Sequence, residues 1–268
     1  MSVNFAFLDS GTGGLPYLKY LLQKSPEEKC VYVGDTKNFP YGQKSTEEII
    51  QNSAECVKKI IEKFSPKAII VACNTISVTA LESLRKSFPG VSFIGTVPAI
   101  KPAAKISKTK KIGLLATNAT VNHPYTKKLI SDFASDCKII SKGDPELIDF
   151  IEHKFFHATE EERLLKVQNC VDFFKNQNCD VLVLACTHFL NMVDYFKKAA
   201  KNDLQIVDNR EGVVNHALEI EKLNLQKNTL YIEESSKLFV TGLTQKNDAE
   251  FYETFCAQNN IKFGGILN

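Results

Sequence analysis

The chain contains one short phrase twice, IIVACNT at residues 69–75 and LVLACTH at residues 182–188. Each copy is an apolar run without charge, which is typical of a β-strand buried on both faces. Each run ends in Ala-Cys, continues with small polar residues and precedes a helical pattern. Because ligands bind at the carboxyl ends of strands in open parallel sheets, we expect Cys73 and Cys186 to lie at strand tips that face a ligand cleft.

A single cysteine after a buried strand is usually a small packing residue. Two cysteines in matched phrases, each followed by polar side chains, favour thiols that act on a polar substrate. The remaining cysteines are interpreted as packing residues: Cys30, Cys56, Cys137, Cys170, Cys179 and Cys256. No two of the eight cysteines form a Cys-x-x-Cys pair, and we predict no metal site.

A glycine-rich turn precedes the first copy. The apolar run from Val3 to Leu8 leads into DSGTGG at residues 9–14 and then into an amphipathic stretch. A strand, a glycine turn and a helix start offer backbone amides to an anion. A dinucleotide site would need glycine where the chain has Pro16, so we predict a small carboxylate instead. Asp9 and Ser10 would point into the same cleft as the cysteines, with a helix N-cap as the alternative role for Asp9.

The pattern restarts at KIGLLAT, residues 111–117, which again reads as a strand ending in a small polar residue. Ser10 and Cys73 are 63 residues apart, and Thr117 and Cys186 are 69 apart, which indicates two related halves. We therefore predict an α/β fold of two pseudo-symmetric domains with mostly parallel sheets and an active site in the cleft between them.

The predicted first domain comprises residues 1–98 and 208–268, and the second comprises residues 99–207. The C-terminal tail is assigned to the first domain because a segment of that size would not fold alone. The segment 101–110 after Pro98 is polar and basic, and we place a domain crossing near it. A capping box predicts a helix that starts after Ser45, and the acidic residues after Thr159 predict a second helix start there.

Composition narrows the class of function. The chain has 268 residues and a net charge of +2, without a long block of Lys or Arg, so we expect no nucleic-acid partner. No apolar run reaches the length of a membrane span, and the N-terminus does not read as a signal peptide. These features predict a cytoplasmic protein with reduced thiols.

Two equivalent thiols suit a reaction that treats two faces of a substrate alike. Racemisation is such a reaction, because one base removes an α-proton while a conjugate acid returns a proton to the opposite face. A redox disulfide would more often use Cys-x-x-Cys, and a single nucleophile with His188 as base would give the two thiols unequal roles. Asp9 and His188 would steer protons at the two faces, and amides and hydroxyls would stabilise developing charge.

Four motifs carry a resemblance to a known family over nearly the whole chain. They are DSGTGG at 9–14, PYG at 40–42, VACNT at 71–75 and ACTHF at 185–189. With these motifs the chain resembles the glutamate racemases of the cofactor-independent aspartate/glutamate racemase superfamily. The resemblance implies no cofactor, D-glutamate as a product for peptidoglycan synthesis, a bacterial cytoplasm and a homodimer.

The resemblance also implies roles for individual residues. Cys73 and Cys186 would be the two acid/bases, with Cys73 handling the D-enantiomer and Cys186 the L-enantiomer. Asp9, His188 and Glu152 would assist them. The residues implied in substrate binding are Asp9, Ser10, Tyr41, Gly42, Asn74, Thr75, Thr117, Thr120, Thr187 and His188.

Other functions remain as alternatives. Aspartate racemase shares the two thiols, and a hydantoin-type racemase is a more distant relative in chemistry. A non-catalytic carboxylate-binding module would not need both cysteines and His188. A cysteine-dependent hydrolase or redox protein would depend on one essential cysteine or on a disulfide cycle, so substitution of each cysteine separates these alternatives.

Overall fold

The computed structural model describes residues 2–223, 236–243 and 248–268. Its strands are Phe5–Asp9 (β1), Cys30–Gly34 (β2), Ala68–Val71 (β3), Ser92–Gly95 (β4), Lys111–Ala116 (β5), Lys138–Gly143 (β6), Val181–Ala185 (β7), Gln205–Val207 (β8), Lys237–Val240 (β9) and Lys262–Ile266 (β10). Its α-helices are Leu15–Lys24 (α1), Thr46–Phe64 (α2), Asn74–Ser87 (α3), Ile100–Ile106 (α4), Asn118–Asn122 (α5), Pro124–Phe133 (α6), Pro145–His153 (α7), Glu160–Asn176 (α8), Val193–Ala200 (α9), Arg210–Leu223 (α10) and Asp248–Gln258 (α11).

The chain packs as two compact units. Unit 1 comprises Met1–Thr96 and Arg210–Asn268, and unit 2 comprises Val97–Asn209. The boundaries proposed from the sequence lie two residues away at each crossing. Each unit is built on one sheet, and every strand pair among the described residues is parallel. The predicted class, two α/β halves with parallel sheets, is therefore confirmed.

The two sheets repeat one strand order. Unit 1 has the order β10-β9-β2-β1-β3-β4, and unit 2 has the order β6-β5-β7-β8. Leaving aside β9 and β10, the first strand of each unit lies between the second and the third, and the fourth is next to the third. The chain therefore reverses direction across the sheet between β1 and β3, and again between β5 and β7. The carboxyl ends of these strand pairs are switch points, where open sheets bind ligands.

Register shows which residues are equivalent in the two units. Asp9 pairs with Gly34 at the end of β1 and β2, and Ala116 pairs with Gly143 at the end of β5 and β6. The residues that follow Asp9 and Ala116 are thus the first to leave each sheet. β3 ends at Val71 and β7 ends at Ala185, so Cys73 and Cys186 both lie just beyond the carboxyl ends of their strands.

Helix starts follow the predicted capping chemistry. Ser45 precedes α2, and its hydroxyl accepts the Glu48 backbone N–H while the Glu48 carboxylate accepts the Ser45 N–H. Thr159 and Glu162 make the same reciprocal pair at α8. The predicted capping box at Ser45 is confirmed, and Thr159 makes a second one where the sequence predicted only a helix start. Each satisfies amides that a helix N-terminus would otherwise leave unpaired.

Helix α4 was not predicted from the sequence, and it occupies most of the polar, basic segment 101–110. Ala103 and Ala104 of α4 are buried in the apolar core of unit 2, while Lys101 and Lys105 are exposed. One buried face of seven residues is too short to give a clear helical period. The crossing lies just before it, at Val97.

Two other elements differ from expectation. The helical pattern after Cys186 is divided into a 3₁₀ segment, Thr187–Met192, and α9. Strand β10 was not predicted, because its sequence KFGGI contains two glycines, which are rare in strands. Its pairing with β9 shifts register near these glycines, and Gly265 has a φ of +84°.

Candidate active site

Cys73 lies at the switch point of unit 1. It follows β3 by two residues and is the N-cap residue of α3, with extended backbone at φ −142° and ψ 117°. Cys73 is buried, with only 5% of its surface exposed. The amides in the first turn of a helix favour negative charge nearby, so this position suits a thiol that becomes a thiolate.

The two polar residues after Cys73 are also buried. Asn74 is 3% exposed and Thr75 is 2% exposed. The Oδ1 atom of Asn74 is buried without a hydrogen-bond partner among the described residues. A buried carbonyl oxygen without a donor costs about 1–3 kcal/mol, so a ligand N–H group would be a favourable partner at this atom.

Asp9 is the last residue of β1 and is fully buried. Its Oδ1 accepts the Ser10 backbone N–H at 2.6 Å and lies 3.3 Å from the Ser10 hydroxyl. Its Oδ2 lies 3.2 Å from the hydroxyl of Tyr32. The alternative role of helix N-cap does not apply, because Gly14 occupies the N-cap position of α1.

The glycine turn packs tightly against these residues. A Cβ at Gly14 would lie 2.7 Å from the backbone oxygen of Ala72 and 3.0 Å from Oδ2 of Asp9, so only glycine fits here. The Gly14 N–H donates to the Tyr32 hydroxyl at 3.0 Å. One amide of the turn predicted to bind a carboxylate is therefore already engaged within the protein, and that binding role stays a prediction.

Tyr41 is 1% exposed, and its hydroxyl donates to Oδ2 of Asp35 at 2.5 Å. Asp35 also accepts hydrogen bonds from the Asn38 amide and from the Thr241 hydroxyl. Burial and the neighbouring carboxylate raise the pKa of Tyr41 well above its usual range. The predicted substrate loop, in which Gly42 shares a 3₁₀ turn with Tyr41, is thus anchored on Asp35.

Cys186 occupies the matching position in unit 2. It follows β7 directly and precedes the 3₁₀ segment that carries Thr187 and His188. The Cys186 Sγ lies 3.7 Å from Nδ1 of His188, and Nε2 of His188 lies 2.9 Å from Oε2 of Glu152. Glu152, near the end of α7, is 3% exposed, and His188 is 2% exposed. The structure thus joins the thiol, the imidazole and the carboxylate in one buried chain of polar contacts.

Opposing effects act on the charge of His188. Burial alone would lower its pKa, whereas the hydrogen bonds and charges of Cys186 and Glu152 raise it. The net result is a pKa of His188 well above its ordinary value, because a buried imidazolium between an ionised carboxylate and a thiol is better satisfied than a neutral ring. His188 is therefore suited to hold a proton beside Cys186 and to stabilise its thiolate.

Thr117 and Thr120 serve the start of α5. The Thr117 hydroxyl accepts the Thr120 backbone N–H and donates to the Thr120 hydroxyl, both at 3.0 Å. Thr117 is thus an N-cap residue, which accounts for its residue type without a ligand. Their predicted contacts with substrate stay predictions, as does that of Thr187, which is 1% exposed.

The sequence analysis did not identify two residues that contact predicted site residues, Tyr32 beside Asp9 and Asp35 beside Tyr41. Tyr32 lies within the apolar run CVYVG, where its hydroxyl gives no separate signal. Asp35 directly follows β2, and a polar residue at the carboxyl end of a parallel strand was the signal that could have identified it.

No group of three or more metal-ligating side chains occurs in the described part of the chain. His153 and His157 have the spacing of two ligands on a helix, but α7 ends at His153. Among the same residues, no helix has the length and apolar character needed to cross a membrane.

Two parallel sheets of matching order, each with a buried cysteine at its switch point, define a duplicated α/β enzyme scaffold. Residues 17–217 match the family model described as Asp/Glu/Hydantoin racemase, and the chain belongs to this family. The resemblance stated from the four motifs is confirmed.

Individual relatives match over nearly the full chain. A glutamate racemase of Treponema pallidum is 37% identical over 264 residues, covering 98% of this chain and 96% of that protein. The crystal structure of Escherichia coli glutamate racemase with L-glutamate and the activator UDP-MurNAc-ala is 26% identical, with a TM-score of 0.85 and coverage of 98% and 97%. Glutamate racemase from Aquifex pyrophilus is 30% identical, with a TM-score of 0.68 and 94% coverage of both chains.

Proposed function

We propose that the protein is a glutamate racemase that interconverts L- and D-glutamate by proton transfer at the α-carbon. The observation that carries the proposal is the equivalence of Cys73 and Cys186 in two copies of one strand order, with His188 in contact with Cys186 and Asp9 at the end of β1, the strand next to β3. The chain's 37% identity to a glutamate racemase over 98% of its length supports glutamate as the substrate.

In the proposed reaction the two thiols act on opposite faces of one α-carbon. The Cys73 thiolate removes the α-proton of D-glutamate, and the electron pair of the broken C–H bond is shared with the adjacent carboxylate. The Cys186 thiol then gives its proton to the other face, which yields L-glutamate, a Cys73 thiol and a Cys186 thiolate. The reverse reaction uses the same groups with their roles exchanged.

A thiol has a pKa of about 8.5, and an α-hydrogen is far less acidic, so the site must stabilise the developing charge. On the unit 2 side, the His188 imidazolium faces Cys186, and Glu152 keeps it protonated. On the unit 1 side, Asp9 assists Cys73. We assign substrate contacts to Ser10, Tyr41, Gly42, Asn74, Thr75, Thr117, Thr120 and Thr187, together with Asp9 and His188.

The unpaired Oδ1 of Asn74 supports this assignment most directly, because it suits the ammonium group of an amino acid. The proposal includes no cofactor, a cytoplasmic location, a homodimer and a role in supplying D-glutamate for peptidoglycan. These follow from the kinship with glutamate racemases.

The test is incubation of the purified protein with L-glutamate in deuterium oxide, with no added cofactor. Circular dichroism reports loss of optical activity, and NMR reports deuterium at the α-carbon. We expect both to proceed together, and the same experiment with aspartate to show little change. Racemisation of aspartate in preference to glutamate would assign the protein to the alternative substrate. No exchange with either amino acid in a folded sample would contradict the proposal and favour a carboxylate-binding module.

A further inference from the structure

Tyr32 has no assigned role, yet its hydroxyl lies at the centre of the polar cluster in unit 1. The residue is in the middle of β2 and is fully buried. Its oxygen lies 2.9 Å from the backbone oxygen of Gly11, 3.0 Å from the nitrogen of Gly14 and 3.2 Å from Oδ2 of Asp9. A buried hydroxyl with three polar neighbours serves more than packing.

The donors and acceptors of this cluster can be assigned individually. Gly14 N–H donates to the Tyr32 oxygen, so the single hydroxyl proton is shared between Gly11 O and Asp9 Oδ2. The other carboxylate oxygen of Asp9 accepts the Ser10 N–H at 2.6 Å. Both oxygens of Asp9 thus have a partner fixed to the backbone framework, and rotation of the carboxylate would break at least one hydrogen bond.

Packing connects this carboxylate to the strand that leads to Cys73. The absent Cβ of Gly14 would contact Asp9 Oδ2 at 3.0 Å and Ala72 Cβ at 2.8 Å, so the glycine lies directly between them. Ala72 immediately precedes Cys73. The Tyr32 hydroxyl holds Gly14 and Asp9 together, and it thereby fixes the carboxylate relative to the backbone of the thiol residue.

We infer that Tyr32 is a positioning residue for the racemase reaction: it orients the Asp9 carboxylate that assists proton transfer at Cys73. The inference rests on the proposed function, and it adds a residue that touches neither substrate nor thiol in the proposed reaction. Tyr41, by contrast, has its hydroxyl committed to Asp35 and belongs to the substrate loop.

The test is a double-mutant cycle of Tyr32→Phe and Asp9→Asn, with kcat/KM measured for both enantiomers. Loss of one hydrogen bond to a carboxylate predicts a decrease of about tenfold for Tyr32→Phe. If Tyr32 acts through Asp9, the same change in the Asp9→Asn background should cost less than about twofold. Because the two enantiomers have equal free energy, kcat/KM must stay equal in both directions, which checks the data internally.

A second readout separates positioning from a purely structural role. With α-deuterated substrates, slower transfer at Cys73 should raise the primary isotope effect for D-glutamate, whose α-proton Cys73 removes. The isotope effect for L-glutamate should stay unchanged or fall, because Cys186 removes that proton. A general loss of structure would not select one enantiomer.

Tyr125→Phe is the matched control, because Tyr125 is 40% exposed on α6 and lies outside the polar groups around Asp9 and around His188. It should retain wild-type kinetics. Equal losses from Tyr32→Phe in both backgrounds, or isotope effects that rise for both enantiomers, would overturn the inference while wild-type activity remained. An inactive wild-type protein would instead overturn the proposed function, and the inference with it.

Discussion

The two halves of the molecule share a scaffold but differ in the polar groups at the carboxyl ends of their strands. In unit 1 the position at the end of the first strand is Asp9, whereas the equivalent position in unit 2 is Ala116. In unit 2 the polar partner follows the cysteine instead, because His188 stands where unit 1 has Thr75. The comparison teaches that a shared strand order places a thiol at equivalent positions in both halves, while the polar side chains around it differ.

The hydrogen bonds that hold Asp9 and His188 in place differ as well. Asp9 is held by hydrogen bonds from its own strand end and from β2, all close to the glycine turn. His188 is held by Glu152, which comes from α7, a helix 36 residues earlier in the chain. One carboxylate thus lies at the end of β1 in unit 1, and the other contacts an imidazole in unit 2.

The largest effect on activity is expected from removal of each thiol. Cys73→Ser and Cys186→Ser should each lower racemisation by about 10³-fold, or ~4 kcal/mol of activation free energy, because a hydroxyl is a much weaker base than a thiolate. Turnover followed by circular dichroism measures the loss. Cys137→Ser, at a partly exposed position, should be unaffected. Wild-type turnover of either half-site variant would refute the two-base reaction.

Glu152→Gln tests the carboxylate that contacts His188 in unit 2. The pKa of His188 should fall, because the variant loses a buried negative charge 2.9 Å from Nε2. Activity should decrease by about tenfold or more, since a hydrogen bond to an ionised carboxylate is replaced by one to a neutral amide. NMR titration of the His188 ring measures the pKa, and Glu146→Gln, exposed in the first turn of α7, is the control. An unchanged titration of His188 would rule out this role for Glu152.

The same pair predicts a pH dependence of stability. The pKa of His188 is higher in the folded protein than in the unfolded chain, where it is about 6.5. Its contribution is therefore fully present below that pH and is lost as pH rises through the folded-state pKa. Denaturant unfolding of wild type and Glu152→Gln should give a difference that shrinks across this window.

Equivalent glycines should respond differently in the two units. A Cβ at Gly34 would lie 2.8 Å from the backbone oxygen of Gly11, whereas a Cβ at Gly143 would overlap the side-chain oxygen of Asn118, which can rotate away. Gly34→Ala should therefore cost about 2 kcal/mol of unfolding free energy, and Gly143→Ala clearly less. Gly212→Ala, in α10 with open space around it, should be neutral or stabilising. Equal costs at positions 34 and 143 would contradict the steric argument.

The smallest expected effects are at the helix caps. Ser45→Ala in unit 1 and Thr159→Ala in unit 2 should each lower the unfolding free energy by about 1 kcal/mol, because each removes one side of a capping box. Chemical denaturation measures both. Racemase activity should persist, and a selective loss of activity from either change would show that the cap also shapes its half-site.

The sequence was informative where burial imposes a pattern. Parallel strands covered on both faces read as apolar runs, so the repeated phrase around Cys73 and Cys186 predicted both switch points. The capping box at Ser45 was also predicted correctly, because its contacts join residues only three positions apart. Tyr32 was not, because the contacts of its hydroxyl with Asp9 and Gly14 join residues 18 to 23 positions apart. Helix α4 was not predicted either, because its single buried face is short and its exposed lysines resembled a linker.

The strand order of unit 1 also affects how the chain is completed during synthesis. Unit 2 is one uninterrupted stretch, Val97–Asn209, so all four of its strands have been made before Lys237 of β9 is added. The sheet of unit 1 must keep the outer edge of β2 open until β9 arrives. On a ribosome that adds residues from the N-terminus, the half carrying Cys186 can therefore finish folding first, and the half carrying Cys73 last.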